Sequence, residues 1–140
     1  MRLWHKDLVK LLPKRQLLGQ WRECCLIAKN IAEIGTPNHI LVNKIMDYPL
    51  EYFEGYTKLI YLEMQRRGYK PDENKFYQYF PEIKPQVIMY TELYQDWHNF
   101  RYLAQCYFNL QEKYDCGGIS DDEWKPIDDF MMNTCSNYSK

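Results

Sequence analysis

Glu23 is the residue best placed for acid–base chemistry, because it lies in a helical run that also carries guanidinium groups. The run reads RQLLGQWRE from Arg15 to Glu23. At about 100° per residue, Glu23 shares one stripe of this helix with Gln16 and Gln20. Gly19 lies between that stripe and a second stripe of cations. The cationic stripe consists of Arg15, Arg22 and Lys29.

This combination of residue types suits catalysis on an anionic polymer. Arginine binds phosphate through two parallel hydrogen bonds, and a carboxylate can stabilise a cationic transition state or move a proton. The remaining arc of the helix is apolar, which places Glu23 at the rim of a core. The alternative is structural: Glu23 pairs with its neighbours in solvent, and the cations only keep the helix soluble.

The composition permits one globular domain and does not by itself indicate a nucleic-acid binder. The chain has 140 residues, of which 46% are hydrophobic, and a net charge of −1. Residues 1–70 carry twelve Lys or Arg against seven Asp or Glu, whereas residues 71–140 carry six against twelve. This asymmetry predicts a basic face able to meet phosphates, unless it is scatter in a small protein.

Cysteine spacing and the lack of targeting segments predict a cytoplasmic protein. Five cysteines, two of them adjacent at Cys24 and Cys25, form neither a disulfide framework nor a metal-site pattern. No apolar stretch is long enough for a membrane span or a signal-peptide core. We therefore expect reduced thiols, no metal and no cofactor. A cysteine nucleophile with a histidine base stays an alternative, with three histidines to choose from: His5, His39 and His98.

Prolines and glycines interrupt helical periodicity along most of the chain, which predicts an all-α fold. Long helices are expected at about residues 13–34 and 49–67, each opened by a proline and closed by a glycine. A third main helix is expected within about 87–114, with a break near Asp96. We expect a compact single domain over residues 1–140, with about three main helices plus short helices and no sheet of three or more strands.

Shorter elements should complete this domain. Short helices are expected over residues 7–12 and 38–46, and residues 72–86 read as an ordered loop because they contain two prolines. After Ser120, at best a short helix is expected, packed through Trp124, Ile127 and Phe130. Tyr48, Tyr52 and Tyr56 recur four residues apart, which favours packing between helices over stacking on an unpaired base.

Two blocks of the sequence resemble the pyrimidine-dimer DNA glycosylase family. The first is Trp21-Arg22-Glu23, where the family carries Tyr-Arg-Glu, and an apolar run precedes it. The second is KLIYLEMQRRGY from Lys58 to Tyr69, which is similar to a family helix ending in Lys-Arg-Gly-Phe. Bacterial relatives that begin Met-Arg-Leu-Trp-His share both blocks. The resemblance covers about half of the chain and weakens beyond residue 70.

The resemblance implies a DNA repair glycosylase and AP lyase that acts on damaged double-stranded DNA, carrying a pyrimidine dimer or an abasic site. In such enzymes the α-amine attacks C1′ of the deoxyribose, an imine forms, and β-elimination cuts the strand. An α-amine suits this role because its reference pKa of about 7.7–8.0 leaves part of it neutral at pH 7. The implied catalytic residues are Met1 and Glu23. The implied DNA contacts are Arg2, Arg15, Arg22 and Lys29.

This assignment requires the N-terminal segment, residues 1–5, to lie against the long first helix with the Met1 amine near Glu23. The bulk of Arg2 is expected to protect Met1 from aminopeptidase. The sequence departs from the family where Gln16 replaces a histidine and Leu26 replaces an arginine. Because both replacements remove DNA contacts, the alternative function is a non-catalytic helical module that binds nucleic acid or a protein partner.

Overall fold

The computed structural model describes residues 1–80 and 88–138, and within these ranges it contains helices and no strand. The predicted all-α class is therefore confirmed. Two 3₁₀ helices span Lys6–Leu11 and Asn43–Asp47. The α-helices are α1 (Lys14–Ile34), α2 (Leu50–Arg66), α3 (Asn74–Tyr77), α4 (Phe100–Asp115) and α5 (Asp121–Tyr138).

The two long helices lie where the prolines and glycines predicted them. Pro13 and Pro49 stand one residue before α1 and α2, at the cap position, where the lack of an N–H costs nothing. Gly35 ends α1 in the left-handed conformation, with φ of 76°, and its N–H bonds back to the Ile31 carbonyl. Local sequence signals thus set both ends of α1.

The C-terminal helix α5 is longer than the expected short helix. Ser120 and Glu123 form a capping box, because the Glu123 N–H lies 3.2 Å from Ser120 Oγ and the Glu123 carboxylate lies 3.5 Å from the Ser120 N–H. Three carboxylates in the first turn favour the positive end of the helix dipole. This start signal supports a helix of 18 residues.

The structure also changes the predicted start of the third main helix and the predicted loop over residues 72–86. The third main helix begins only at Phe100, since the Asn99 side chain caps it by accepting the Tyr102 N–H at 2.9 Å, and turns precede it. The stretch expected as a loop contains the single-turn helix α3, and the prediction for residues 81–87 lies outside the described residues. Along the described ranges, no helix is long and apolar enough to cross a membrane.

The core lies between two helix pairs and the first 3₁₀ helix. Helix α1 packs on α2, α4 packs on α5, and the 3₁₀ helix Lys6–Leu11 contacts both α2 and α5. Tyr56 is fully buried, and the Tyr48 and Tyr52 rings lie within 6 Å of the buried Tyr94 ring. The tyrosines spaced four apart therefore serve packing, as the sequence favoured.

Side chains from distant elements fix the junction between the first 3₁₀ helix and α1. Glu123 of α5 accepts the Lys14 N–H at 3.0 Å, and this bond lowers the pKa of Glu123. The Arg67 guanidinium donates to the carbonyls of Leu12 and Lys10 at 2.8 and 3.1 Å. The start of α1 is consequently capped by tertiary partners, since Pro13 supplies no side-chain cap.

Two buried histidines join the start of the chain to the segment before α4. The Lys6 N–H donates to His98 Nδ1 at 2.9 Å, and His5 Nε2 donates to the His98 carbonyl at 2.8 Å. Burial lowers the pKa of His98 to about 2 and also lowers the pKa of His5. Both imidazoles are therefore neutral in the folded protein, with Nδ1 of His98 acting as an acceptor.

These histidines predict a loss of stability in mild acid. Because the folded pKa lies below the unfolded value of about 6.5, protons bind the unfolded chain first as the pH falls. The stability contribution of these neutral histidines is complete above about pH 6.5. Below that pH, protonation of His98 in the unfolded chain costs about 1.4 kcal/mol of unfolding free energy per pH unit, and His5 acts in the same direction. Urea unfolding at several pH values measures this slope. His98→Gln removes one titrating group and should lower the slope, whereas an unchanged slope would contradict the assignment.

Candidate functional site

Gln20 of α1 holds the N-terminal segment against the helix. Its side-chain oxygen accepts the Trp4 N–H at 2.8 Å, and its side-chain nitrogen donates to the Arg2 carbonyl at 2.9 Å. The residue is only 1% exposed. A planar amide that bonds both a donor and an acceptor of a backbone segment fixes the position of that segment along the helix. Gln20 therefore determines where the chain terminus lies along α1.

Two tyrosines complete the attachment of this segment from other helices. The Tyr56 hydroxyl of α2 donates to the Trp4 carbonyl at 2.6 Å and lies 3.1 Å from the Gln20 oxygen. The Tyr102 hydroxyl of α4 donates to the Leu3 carbonyl at 2.5 Å. Burial raises the pKa of both tyrosines, so they act as neutral donors. Three helices thus satisfy successive backbone groups of the segment.

The attached segment brings its α-amine to the carboxylate that the sequence singled out. The Met1 nitrogen lies 3.9 Å from Glu23 Oε1, and the side chains of these residues are 15% and 34% exposed. Both groups are thus partly open to solvent and to a ligand. At this separation a small movement or one water molecule allows proton transfer between amine and carboxylate. Such a pair can deprotonate a nucleophilic amine and return a proton later.

Open space adjoins this pair on α1. A Cβ atom built at Gly19 would meet no described atom within 4 Å. Gly19 lies between the Glu23 stripe and the arginine stripe of the helix, so the surface beside the carboxylate is unobstructed there. The helix surface at Gly19 is therefore open, one turn before Glu23.

The predicted DNA-contacting residues fall into two groups. Arg2 is half-buried, and its guanidinium lies 5.2 Å from the centre of the Trp4 ring. Arg15 and Arg22 are exposed and Lys29 is half-buried. The structure therefore brings Met1 and Glu23 together. The Arg2 side chain lies over Trp4, and the other three cations lie along the outer face of α1.

The alternative of a cysteine nucleophile finds no support near the site. Burial raises the pKa of the Cys24 and Cys106 thiols above the usual range and raises that of Cys25 to about 11. A thiol with a raised pKa is a poor nucleophile near neutral pH. Over residues 1–80 and 88–138, no group of three His, Cys, Asp or Glu is placed to hold a metal ion.

Sequence reasoning missed the residues that position the amine. It placed Gln20 on the stripe of Glu23 without giving it a role, and it considered His5 and His98 only as partners for cysteine. A polar residue one turn before a candidate carboxylate was the available signal for Gln20. No local signal pointed to Tyr102, because its partner Leu3 lies 99 residues away.

Comparison with known families gives a match. A profile of the pyrimidine dimer DNA glycosylase family matches residues 1–77, which is more than half of the chain. The chain therefore belongs to the pyrimidine dimer DNA glycosylase family. The matched region includes Met1, Gln20, Glu23 and Tyr56 but not Tyr102. Searches of curated proteins and of solved structures gave no match.

Replacing Gln20 should test the attachment of the N-terminal segment. Gln20→Leu keeps similar volume but leaves the Trp4 N–H and Arg2 carbonyl without their partner, so we expect a loss of about 3 kcal/mol in unfolding free energy. Urea denaturation with intrinsic tryptophan fluorescence measures this loss.

Gln16→Leu is the matched control, because it makes the same change one turn earlier on the same helix. The side-chain oxygen of Gln16 is buried and has no hydrogen-bond partner among the described residues. We expect its replacement to change stability by under about 0.5 kcal/mol or to stabilise the fold. Equal effects of the two substitutions would show that the Gln20 hydrogen bonds are unimportant.

Proposed function

We propose that this protein is a DNA glycosylase with AP lyase activity, acting on double-stranded DNA that contains a pyrimidine dimer or an abasic site. One observation carries the proposal: in a member of a DNA glycosylase family, the N-terminal α-amine lies 3.9 Å from a partly exposed carboxylate. Met1 is the nucleophile in this proposal, and Glu23 moves the proton.

The glycosylase step replaces the bond from C1′ to the base nitrogen with a bond to the Met1 nitrogen. The departing base takes the electron pair of the broken bond and a proton. Glu23 accepts the proton that the amine nitrogen loses, and its negative charge stabilises the cationic sugar as the base departs. The sugar ring then opens: the nitrogen lone pair forms the C=N bond of a protonated imine as the C1′–O4′ bond breaks, and O4′ takes the electron pair of that bond and the proton held by Glu23.

The lyase step follows from the imine. The positive nitrogen acidifies the C2′ proton, which a base removes; the electrons form a C1′–C2′ enamine and then expel the 3′-phosphate by breaking the C3′–O bond. Glu23 is the nearest described carboxylate to the amine and is proposed as that base. Water finally hydrolyses the imine and restores the free amine. On an abasic site the same amine condenses with the open-chain aldehyde and releases water.

The remaining proposed residues bind the DNA backbone. Arg15, Arg22 and Lys29 lie along the outer face of α1, beside the open surface at Gly19. Arginine in this position can hold a phosphate through two hydrogen bonds while Glu23 faces the sugar. This arrangement needs no metal or organic cofactor. The competing proposal, a helical module that binds nucleic acid or a protein partner without chemistry, predicts no covalent intermediate.

Glu23→Gln should abolish strand cleavage and preserve DNA binding. The change keeps size and hydrogen bonding but removes the proton acceptor, so we expect cleavage of abasic duplex to fall by about 10²-fold or more. Affinity should stay equal or rise slightly, because one negative charge beside phosphate is lost. Borohydride trapping and cleavage assays measure the chemistry, and fluorescence anisotropy measures binding.

Glu33→Gln is the matched control, since Glu33 is an exposed residue near the other end of α1. It should cleave as the parent does. Mass spectrometry of the trapped peptide should locate the reduced adduct on the Met1 nitrogen. If the parent protein neither cleaves damaged DNA nor becomes trapped on it, the enzymatic proposal fails and the binding module becomes the better account.

Arg22→Ala should weaken DNA binding without changing sequence preference. Loss of one phosphate contact should reduce the slope of log affinity against log salt by about one unit. Titrations at several salt concentrations measure this slope. Lys125→Ala removes an exposed cation of α5 that is paired with Asp129, and its slope should equal that of the parent. Equal slopes for all three proteins would exclude Arg22 from the interface.

A further inference from the structure

Three apolar side chains lie exposed on two neighbouring elements of the fold. Ile40 and Leu41 belong to the loop between α1 and the second 3₁₀ helix, and they are 86% and 50% exposed. Phe108 of α4 is 60% exposed. Large apolar side chains grouped on a surface mark interaction sites more often than scattered ones do.

The loop that carries Ile40 and Leu41 is held in one conformation by its own polar groups. The Asn38 N–H donates to Thr36 Oγ1 at 3.2 Å, and the His39 N–H donates to Asn43 Oδ1 at 3.0 Å. Val42, the next residue along, is fully buried and anchors the loop in the core. The exposed pair is therefore presented on a rigid support.

These side chains border the candidate active site. Leu41 and Phe108 line one cavity of about 310 Å³ together with Arg2 and Tyr102. Arg2 is bonded directly to the proposed nucleophile Met1, and Tyr102 holds Leu3 in place. The cavity therefore includes the residue next to the proposed nucleophile.

The charges around this surface favour a polyanion. Residues 36–46 and 97–111 contain no Asp or Glu in a chain that has 19, and they carry the cations Lys44 and Arg101. Arg2 adds a third cation at the cavity. Residues 120–129, in contrast, contain five carboxylates. Among the described residues, the cavity that Leu41 and Phe108 line contains the cation Arg2 and no Asp or Glu, so it fits nucleic acid better than a second copy of this acidic-tailed chain.

We propose that Ile40, Leu41 and Phe108 form an apolar wedge that enters duplex DNA at the damaged base step. The wedge unstacks that step and bends the duplex, and Arg2 faces a phosphate beside it. Apolar side chains inserted between base pairs act in this way in proteins that kink DNA, and a damaged step is the cheapest to unstack. This inference rests on the proposed function, because it takes damaged DNA as the substrate.

A binding experiment without chemistry tests the wedge. The probe is a duplex that contains a tetrahydrofuran abasic analogue with 2-aminopurine as the neighbouring base, so that unstacking raises fluorescence. The parent protein should raise the fluorescence on binding. In Leu41→Ser/Phe108→Ser the rise should fall by at least half at saturating protein, and affinity should fall about tenfold.

Leu62→Ser is the matched control, because Leu62 is 49% exposed on α2 and Leu41 is 50% exposed. It should raise the fluorescence as the parent does. Thermal unfolding of each variant confirms that the proteins compared are folded. A parent protein that binds the probe without a fluorescence change overturns the wedge, as does a double variant that matches the parent.

Two further outcomes separate this inference from its alternatives. If the parent forms a dimer in sedimentation experiments and the double variant does not, the exposed apolar surface is a self-association surface and the wedge is wrong. If the parent is trapped by borohydride on neither duplex abasic DNA nor single-stranded abasic DNA, which needs no wedge, the proposed function itself fails. If the parent is trapped on the single strand and the double variant raises the fluorescence of the duplex probe as the parent does, only the wedge is wrong and the proposed function stands.

Discussion

The two hydrogen bonds from the Gln20 side chain to the N-terminal segment are the constraint on which the candidate site depends. Chain termini ordinarily fray, because few contacts hold them. Here the backbone of residues 2–4 bonds to side chains from α1, α2 and α4, and the amine one residue earlier is fixed beside Glu23. A terminal amine becomes a positioned group only because its own backbone is held in this way.

The network that holds the segment is neutral, whereas the groups proposed to react are charged and partly exposed. Tyr56, Tyr102 and the two buried histidines bond as neutral donors and acceptors, since burial disfavours their charged forms. Neutral groups avoid the large cost of burying a charge. Met1 and Glu23 lie at the edge of this network, where solvent still reaches them, so the protein fixes a charged pair without burying it.

Charge is distributed unevenly along the chain. The cations of α1 and Arg2 lie around the candidate site, and the neighbouring segments 36–46 and 97–111 contain no carboxylate. The acidic start of α5 has a structural use, because Glu123 caps both its own helix and the first residue of α1. A net charge near zero thus conceals an excess of cations in residues 1–70 and of carboxylates in residues 71–140.

The sequence by itself determined the parts of this protein that depend on neighbours along the chain. Prolines, glycines and helical periodicity predicted α1 and α2 nearly to the residue, and the Trp21-Arg22-Glu23 block indicated the family before any geometry was known. The Ser120–Glu123 capping box was equally local and would have predicted where α5 begins. Only the tertiary structure decided how the amine is held, because the bonds from Trp4 to Gln20 and from Leu3 to Tyr102 join residues 16 and 99 positions apart. Hydrogen bonds between such distant residues leave no periodic pattern in a sequence; they appear when the helices pack and their polar side chains meet.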